Sequence, residues 1–285
     1  MALRINYNYQ ADFTHFNLKQ TESNMNKALE RLATGYRINR AADDAAGLYI
    51  ADQLKTYAIS LEQATRNSQD GISIAQIAQA SLQNVYNILN DIKSKAIEAA
   101  NDSQDDATRK IIQQDINKLV DVISKIFKDT EFNGKNIFSS GANTFTIHYG
   151  GRTNQTLVMQ IWTATAVAAT DTNSPSTITI AGSGFTIDVT SQTKAEKAID
   201  NIDAVIKKVD QLNAKIGSYQ IELEKIITNN ESQRINIQEA ESRIRNVDFA
   251  KEMSEFTRNQ ILMQSGTAML AQANQLPQLV LQLLR

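Results

Sequence analysis

The sequence predicts a mainly α protein. Paired N- and C-terminal arms form an elongated antiparallel helical bundle or coiled coil, with a small antiparallel β-hairpin region in the middle. Three observations predict it. Proline occurs twice in 285 residues, at Pro175 and Pro277, outside the strong helical patterns or near the end of one, which suits long helices. Apolar residues recur every three or four positions through both arms. Between Asn136 and Thr190 that period falls to two.

The first helix runs from about Leu18 to Tyr36 on a thin stripe of Leu18, Met25, Leu29, Leu32 and Tyr36. Thr34-Gly35 supplies its stop, since glycine alone enters the left-handed conformation without strain. Asp43 and Asp44 then offer a cap and negative charge to the exposed amides of a second helix, expected from Gly47 to Ala100. At about 1.5 Å per residue that helix is roughly 80 Å long. Its seam is Ile74, Ala78, Leu82, Val85, Leu89, Ile92, Ala96 and Ala99, a heptad-like step.

Asn101 to Asp106 breaks the pattern and is rich in N-cap residues. A third helix follows on Ile112, Ile116, Leu119, Ile123 and Ile126, ending before the turn signal Phe132-Asn133-Gly134. Alternation over 144–149 and 156–162 predicts one hairpin, and 177–180 with 185–189 a second. The threonine-rich strands suit a sheet covered on one face. Thr193 with Glu196 has capping-box spacing and opens a fourth helix. Its seam is Ile199, Ile202, Ile206, Val209, Ile216, Leu223 and Ile227, flanked every seventh residue by Val205, Leu212, Tyr219 and Ile226. Phe249, Met253, Phe256, Met263 and Leu270 mark a fifth. Near the end stand Leu276, Leu279, Val280, Leu283 and Leu284, too apolar to leave in water.

Chemistry is scarce. A net charge of −2 leaves no electrostatic footprint for nucleic acid or an anionic membrane. With no cysteine, thiolate zinc sites, a catalytic cysteine and disulfides are excluded. The two histidines, His15 and His148, stand far apart in sequence, and the carboxylate clusters Asp43-Asp44 and Asp102/Asp105/Asp106 sit where helices start, so capping explains them. Gly182 and Gly184 precede a strand rather than opening a helix, so they form no dinucleotide loop. No catalytic constellation, cofactor or metal is expected, and the chain is not expected to be an enzyme. No run of about eighteen apolar residues spans a membrane. The N-terminus lacks the apolar core of a cleavable signal peptide. What remains is apolar surface at both ends, which asks for copies of the same chain in an open head-to-tail polymer.

Several long motifs carry a family. Leu29-Glu-Arg-Leu-Ala-Thr-Gly-Tyr-Arg-Ile-Asn-Arg-Ala-Ala-Asp-Asp-Ala-Ala-Gly47 resembles the best-known N-terminal signature of bacterial flagellins. Asn67-Ser-Gln-Asp-Gly71, Thr130-Glu-Phe-Asn-Gly134 and Glu241-Ser-Arg-Ile-Arg-Asn-Val-Asp-Phe-Ala250 fit as well. So does the segment from Gln260 to Arg285. The likeness covers about residues 1–135 and 193–285.

The resemblance implies a structural subunit that polymerises outside the cell into the flagellar filament used for swimming. Export would run through the flagellar type III apparatus, without a cleaved signal. Residues 1–40 and 245–285 would pair as the inner-tube coiled coil. Residues 41–135 and 193–244 would form the bundle around it. Residues 136–192 would be a short outward β-rich region, with no large outer domain and no His-Glu-x-x-His of the metalloprotease flagellins. Implied partners are further copies, the flagellar cap and hook-associated proteins, and an export chaperone at the C-terminal helix. Arg31, Arg37, Arg40, Asp43 and Asp44, with Leu276, Leu279, Val280, Leu283 and Leu284, are the expected contacts between subunits. Leu89, Asp91, Lys93, Ser94, Lys95 and Asp115 match the site at which many flagellins meet a vertebrate Toll-like receptor. Asp91 stands where the usual motif has Arg, Ser94 where it has Glu and Lys95 where it has Leu, so weak or absent recognition is expected. A hook–filament junction protein of the same helical design is the alternative.

Overall fold

A computed structural model describes residues 8–138, 144–161, 164–167, 176–180 and 183–283; side chains are described as far as residue 275, excepting those of residues 164–167, 176, 179, 180, 183 and 184. Trp162 and Leu284 fall outside the described residues, and Leu276, Leu279, Val280 and Leu283 outside the described side chains. Five helices are described: α1 (Tyr9–Thr34), α2 (Ala45–Ala100), α3 (Asp106–Asp129), α4 (Gln192–Arg245) and α5 (Phe249–Leu283). Between α3 and α4 lie β1 (Glu131–Phe132), β2 (Lys135–Asn136), β3 (Thr144–His148), β4 (Thr156–Gln160), β5 (Ala164–Val167), β6 (Ser176–Ile180) and β7 (Ser183–Ile187). The chain divides into two compact units, one of residues 59–234 and one of residues 1–58 with 235–285.

In the unit of residues 59–234 the seam of α2 is longer and stricter than its apolar pattern alone indicates. Leu61, Ala64, Ser68, Gly71, Ala75, Ala78, Leu82, Val85, Leu89, Ile92, Ala96 and Ala99 alternate steps of three and four, and all are buried. Ser68 and Gly71 belong to it because a small residue fits where a neighbour comes close. A Cβ on Gly71 would stand 3.0 Å from Leu223 and 3.2 Å from Ile147, and the Ser68 hydroxyl donates to the Ala64 carbonyl at 2.9 Å. On α4 the two expected rows merge into one. Ile202, Val205, Val209, Leu212, Ile216 and Leu223 are buried, while Ile199 and Ile206 are only half-buried. The seam alternates between rows because a straight 3.6-residue helix drifts against a seven-residue repeat.

Pairing within this unit is antiparallel on both sides of α2. Lys93 reaches Asp203 at 2.6 Å and Gln220 reaches Gln79 at 3.3 Å across the α2–α4 pair. Lys95 reaches Asp115 at 3.3 Å across α2–α3. Arg109, almost wholly buried, closes the α2–α3 corner. Its guanidinium donates to the Ala99 carbonyl at 2.9 Å and the Asn101 carbonyl at 3.2 Å, two of the orphan acceptors at the end of α2. Asp105 caps α3 by accepting from the Thr108 amide at 2.7 Å.

The strands lie in three antiparallel groups, β1–β2, β3–β4 and β5–β6–β7. Asn133 and Gly134 both take positive φ, 51° and 73°, the two-residue turn that an Asn-Gly pair between strands signals. On β3, Phe145 and Ile147 are buried and Thr146 and His148 exposed, the one-sided pattern expected. Buried Gln113 donates to the Ile187 carbonyl at 3.2 Å and accepts from the Val189 amide at 2.7 Å, standing in for a missing ladder partner. Three local expectations are corrected. The second helix starts at Ala45, two residues early, directly after Asp44, one of the two expected caps, whose Oδ1 accepts from the Gly47 amide. The fourth starts at Gln192, with the Ser191 carbonyl accepting from Ala195 at 2.9 Å, so Thr193 lies inside the first turn and is no cap. The expected second hairpin gains a third strand, β5, from an alanine- and threonine-rich stretch with little apolar alternation to betray it.

In the other unit α1 and α5 pair antiparallel. The Asn8 amide group donates to the Ala273 carbonyl at 2.9 Å near one end, and Arg31 meets Glu252 at 3.4 Å near the other. The arms thus bury a seam on each other, where the thin stripe of α1 alone gave neither helix a body to pack on.

Candidate assembly surfaces

The joint between α1 and α2 is held together by the backbone and by a set of side-chain hydrogen bonds and ion pairs. Gly35, at φ 75°, turns α1 off and donates its amide to the Arg31 carbonyl at 2.9 Å. Tyr36 then forms an isolated antiparallel bridge to Asn246, flanked by the Arg37 amide on the Arg245 carbonyl at 2.7 Å and the Val247 amide on the Gly35 carbonyl at 3.0 Å. The two chain reversals, α1 to α2 and α4 to α5, are therefore sewn together.

Arg245 serves both sides of this seam. Its guanidinium stacks on Tyr36 at 4.8 Å from the ring centre and meets Asp52 at 3.3 Å. Each expected contact residue at the joint has a partner inside the chain. Arg31 meets Glu252, Arg37 donates to the Ile244 carbonyl at 2.7 Å, and Arg40 meets Glu30 at 3.0 Å. Asp44 Oδ1 caps α2 by accepting from the Gly47 amide at 2.8 Å. One Asp43 oxygen accepts from the Arg40 and Asn39 amides at 3.1 and 3.2 Å, closing the turn before it.

Those two amides, Arg40's more than Asn39's, hold the Asp43 carboxyl below the usual carboxylate range. A depressed carboxylate stabilises the turn fully above its unfolded value, about pH 4, and loses that contribution as pH falls through the lower folded value. The protection factors of the Asn39 and Arg40 amides, taken against the intrinsic exchange rate at each pH, are therefore expected to fall on acidification, while the cap at Gly47 is lost selectively in Asp44→Ala. That substitution is expected to cost about 1 kcal/mol at the start of α2. Equal protection at Gly47 and Leu48 in variant and parent would contradict the assignment.

The α1–α5 pair turns its large side chains the wrong way for a self-sufficient coiled coil. Its inner seam on α1 is Ala11, Thr14, Leu18, Thr21, Met25, Ala28, Leu32 and Gly35, alternating steps of three and four. On α5 it is Glu252, Phe256, Asn259, Met263, Gly266, Leu270 and Ala273, on the same alternation. Half of these are small or polar. Leu18 lies 3.1 Å from where a Cβ on Gly266 would stand, so the helices approach closely there. The bulky residues face outward. Tyr9, Phe13 and Phe16 form a stripe opposite the α1 seam, Phe16 67% exposed, and Tyr9 and Phe13 stack with ring centres 6.1 Å apart. On α5, Met253, Ile261, Leu262 and Met269 are exposed on faces away from α1, Met269 by 64%. Met253, Ser254, Thr257, Arg258, Ile261 and Leu262 line an open, mostly apolar groove. The large apolar residues of α5 are spread round the helix and not gathered on its α1-facing seam, which leaves apolar surface for neighbours on more than one side.

None of the outward residues Tyr9, Phe13, Phe16, Ile261, Leu262 or Met269 was among the expected contacts. Their signal is there in the spacing of 9, 13 and 16, and in the way apolar residues are scattered round α5 instead of confined to one stripe.

At the receptor-equivalent positions the structure separates one residue from the rest. Leu89 is fully buried in the seam of α2 and offers nothing to a partner. Asp91 and Ser94 are exposed; Lys93 and Lys95 are half-buried, tied to Asp203 and Asp115. Lys95, through its hydrogen bond and charge, holds the Asp115 carboxyl below the usual range. Among the described residues no cluster of histidine and carboxylate side chains could hold a metal. None of the described helices is long and apolar enough to cross a membrane.

Buried seams with a bulky apolar exterior define a helical subunit made to be enclosed by other chains. Residues 5–144 match the bacterial flagellin N-terminal helical region and residues 199–284 the bacterial flagellin C-terminal helical region. The chain is 39% identical over 291 residues to flagellin FlaB2 of Treponema pallidum, covering 99% of each. It is 39% identical over 287 residues to a flagellin of Halalkalibacterium halodurans, again 99% of each. Against a flagellin of Bacillus subtilis it is 40% identical over 304 residues, covering 99% of this chain and all of the relative. The chain belongs to the flagellin family and is a structural subunit of the extracellular flagellar filament.

Proposed function

We propose that assembly proceeds by enclosing the outward faces of α1 and α5 in further copies of the same pair. In this reading residues 1–40 and 245–285 form the inner tube, 41–135 and 193–244 the surrounding bundle, and 136–192 a short outward region. The observation that carries it is the inverted distribution in the α1–α5 pair, with a small and polar seam inside and bulky apolar groups outside. Leu276, Leu279, Val280, Leu283 and Leu284 are further contacts between copies in this reading, on their apolar sequence. Arg31, Arg37, Arg40, Asp43 and Asp44 set the shape of the joint, and the exposed Arg40 and Asp43 remain within reach of a neighbouring copy.

The chain has no enzymatic role in this reading. It passes through the type III export channel, and a chaperone masks its C-terminal helix beforehand. At the filament ends it meets the cap and hook-associated proteins. The test is purified protein with filament seeds, followed by electron microscopy. Long growing tubes are expected; short oligomers that do not grow would point to a junction protein instead.

Receptor recognition is weak in this reading. Asp91 presents a carboxylate where an arginine would supply bidentate donors, and Lys95 is engaged by Asp115. Reporter cells given purified monomer are expected to respond far below a fully potent flagellin, and full potency would refute it.

A further inference from the structure

The unit of residues 59–234 carries two exposed helix faces that its own packing does not explain. The first is on α4. Gly217 sits in the middle of a helix of 54 residues, where glycine is about 1 kcal/mol worse than alanine. Among the described residues nothing requires it: a Cβ at 217 would meet none of them within 4 Å, in contrast to Gly71, which is pressed by Leu223 and Ile147. On the same face stand Ile221, 60% exposed, and Ala214, also exposed. Seven residues to either side, about 10 Å along the axis in each direction, are exposed carboxylates, Asp210 and Glu224. The face is a shallow apolar notch between two acids.

The second face is on α3. Ile111 and Val122, 60% and 42% exposed, share one side of the helix, with Lys118 between them and Lys125 one turn beyond Val122. Lys118 is 77% exposed at its side chain and lies 3.5 Å from Asp115, a contact worth little at such exposure. Asp115 on this row is already engaged by Lys95, and Asp129 lies at its far end. The face is a β-branched ridge with a lysine on either side of Val122.

We propose that the α3 ridge of one subunit seats in the α4 notch of a second copy, Val122 against Gly217, with Lys118 and Lys125 meeting the flanking carboxylates. The occupant is a second copy because the chain is a filament subunit, and the proposal rests on that reading. Charge complementarity selects this pairing among copies. The lysines are closer together than the acids, and their long stems span the difference. Two different faces joined in this way make a heterologous contact, which propagates into a filament where its rotation does not close a ring.

The experiment is seeded elongation of four full-length forms, with monomer folding checked by circular dichroism. Asp210→Lys with Glu224→Lys, and separately Lys118→Glu with Lys125→Glu, are each expected to slow elongation at least about tenfold by setting like charges face to face. The form carrying all four reversals is expected to recover to within about threefold of the parent, because the complementarity is restored with its sign exchanged. Gly217→Leu is expected to keep or raise the melting temperature while blocking elongation. Glu222→Trp, exposed on another side of the same helix, is expected to elongate normally. If the reversed pairs elongate like the parent, or the fourfold form is no better than either pair, the pairing is wrong. Failure of the parent itself to elongate on seeds would overturn the filament reading rather than this contact.

Discussion

Leu89→Ala is expected to lower the stability of the residue 59–234 bundle by about 3 kcal/mol, read as a lower urea midpoint at an unchanged slope. Leu89 is wholly shielded from water at the centre of a seam running from Leu61 to Ala99, in one continuous cluster with residues of α3, α4 and the strands. Its neighbours along the seam, Val85 and Ile92, are held in rigid helix and cannot collapse fully into the space left. The cost therefore contains a cavity contribution beyond the transfer of the lost methyl groups. Asp91→Ala, two residues on and exposed, is the control and is expected to change stability by no more than about 0.5 kcal/mol. The pair of results also separates two meanings of a receptor-equivalent position. A loss of signalling at Leu89 would follow from a loosened bundle, whereas one at Asp91, Ser94 or Lys95 would reflect the surface itself. A Leu89→Ala protein as stable as its parent would show that this seam is not the core.

What could be read from the residues divides along a physical line. The seam of α2 was legible because burial on a helix demands a period, and every residue assigned to it from Ile74 to Ala99 is buried; on the thinner stripes of α1 and α5 the reading missed, and Leu29, Tyr36, Phe249 and Met253 are exposed. Turn chemistry was equally legible at Gly35 and at Asn133-Gly134, where the backbone needs positive φ that few residues supply. Strand β5 was not, because Ala164 to Val167 pairs through its backbone and shows little side-chain alternation. The long-range polar ties were silent as well. Gln113 standing in for a strand, and Asn67 and Asn230 donating to the carbonyls of His148 and Tyr149, each depend on residues far apart in the chain. No local pattern marks them. The joint lies between these cases. Its stop and start follow from Gly35 and Asp44, yet the bridge from Tyr36 to Asn246 joins motifs more than two hundred positions apart.

Replacing outward apolar residues of the α1–α5 pair by glutamate is expected to abolish assembly while leaving the monomer intact. The variant to make is Phe16→Glu with Ile261→Glu and Leu262→Glu. In the isolated chain all three side chains are exposed, so each substitution is expected to cost no more than about 0.5 kcal/mol, and circular dichroism and melting should match the parent. In a polymer that encloses these faces, each glutamate is an unpaired buried charge, costing several kcal/mol, and the cost recurs in every subunit added. A subunit contact can absorb little of that, since about 1.4 kcal/mol already changes an equilibrium tenfold. Leu18→Glu serves as the contrast. Leu18 lies in the seam at its closest approach to Gly266, so that change is expected to separate α1 from α5 in the monomer and to lower its helical content. If the outward variant grows normal filaments on seeds, the faces of α1 and α5 remain open to water in the polymer, and the inverted distribution of bulky residues has some other cause. If it fails to grow while Leu18→Glu alone disturbs the monomer, the two surfaces of the pair have separate tasks: one holds the helices together, and the other holds subunits together.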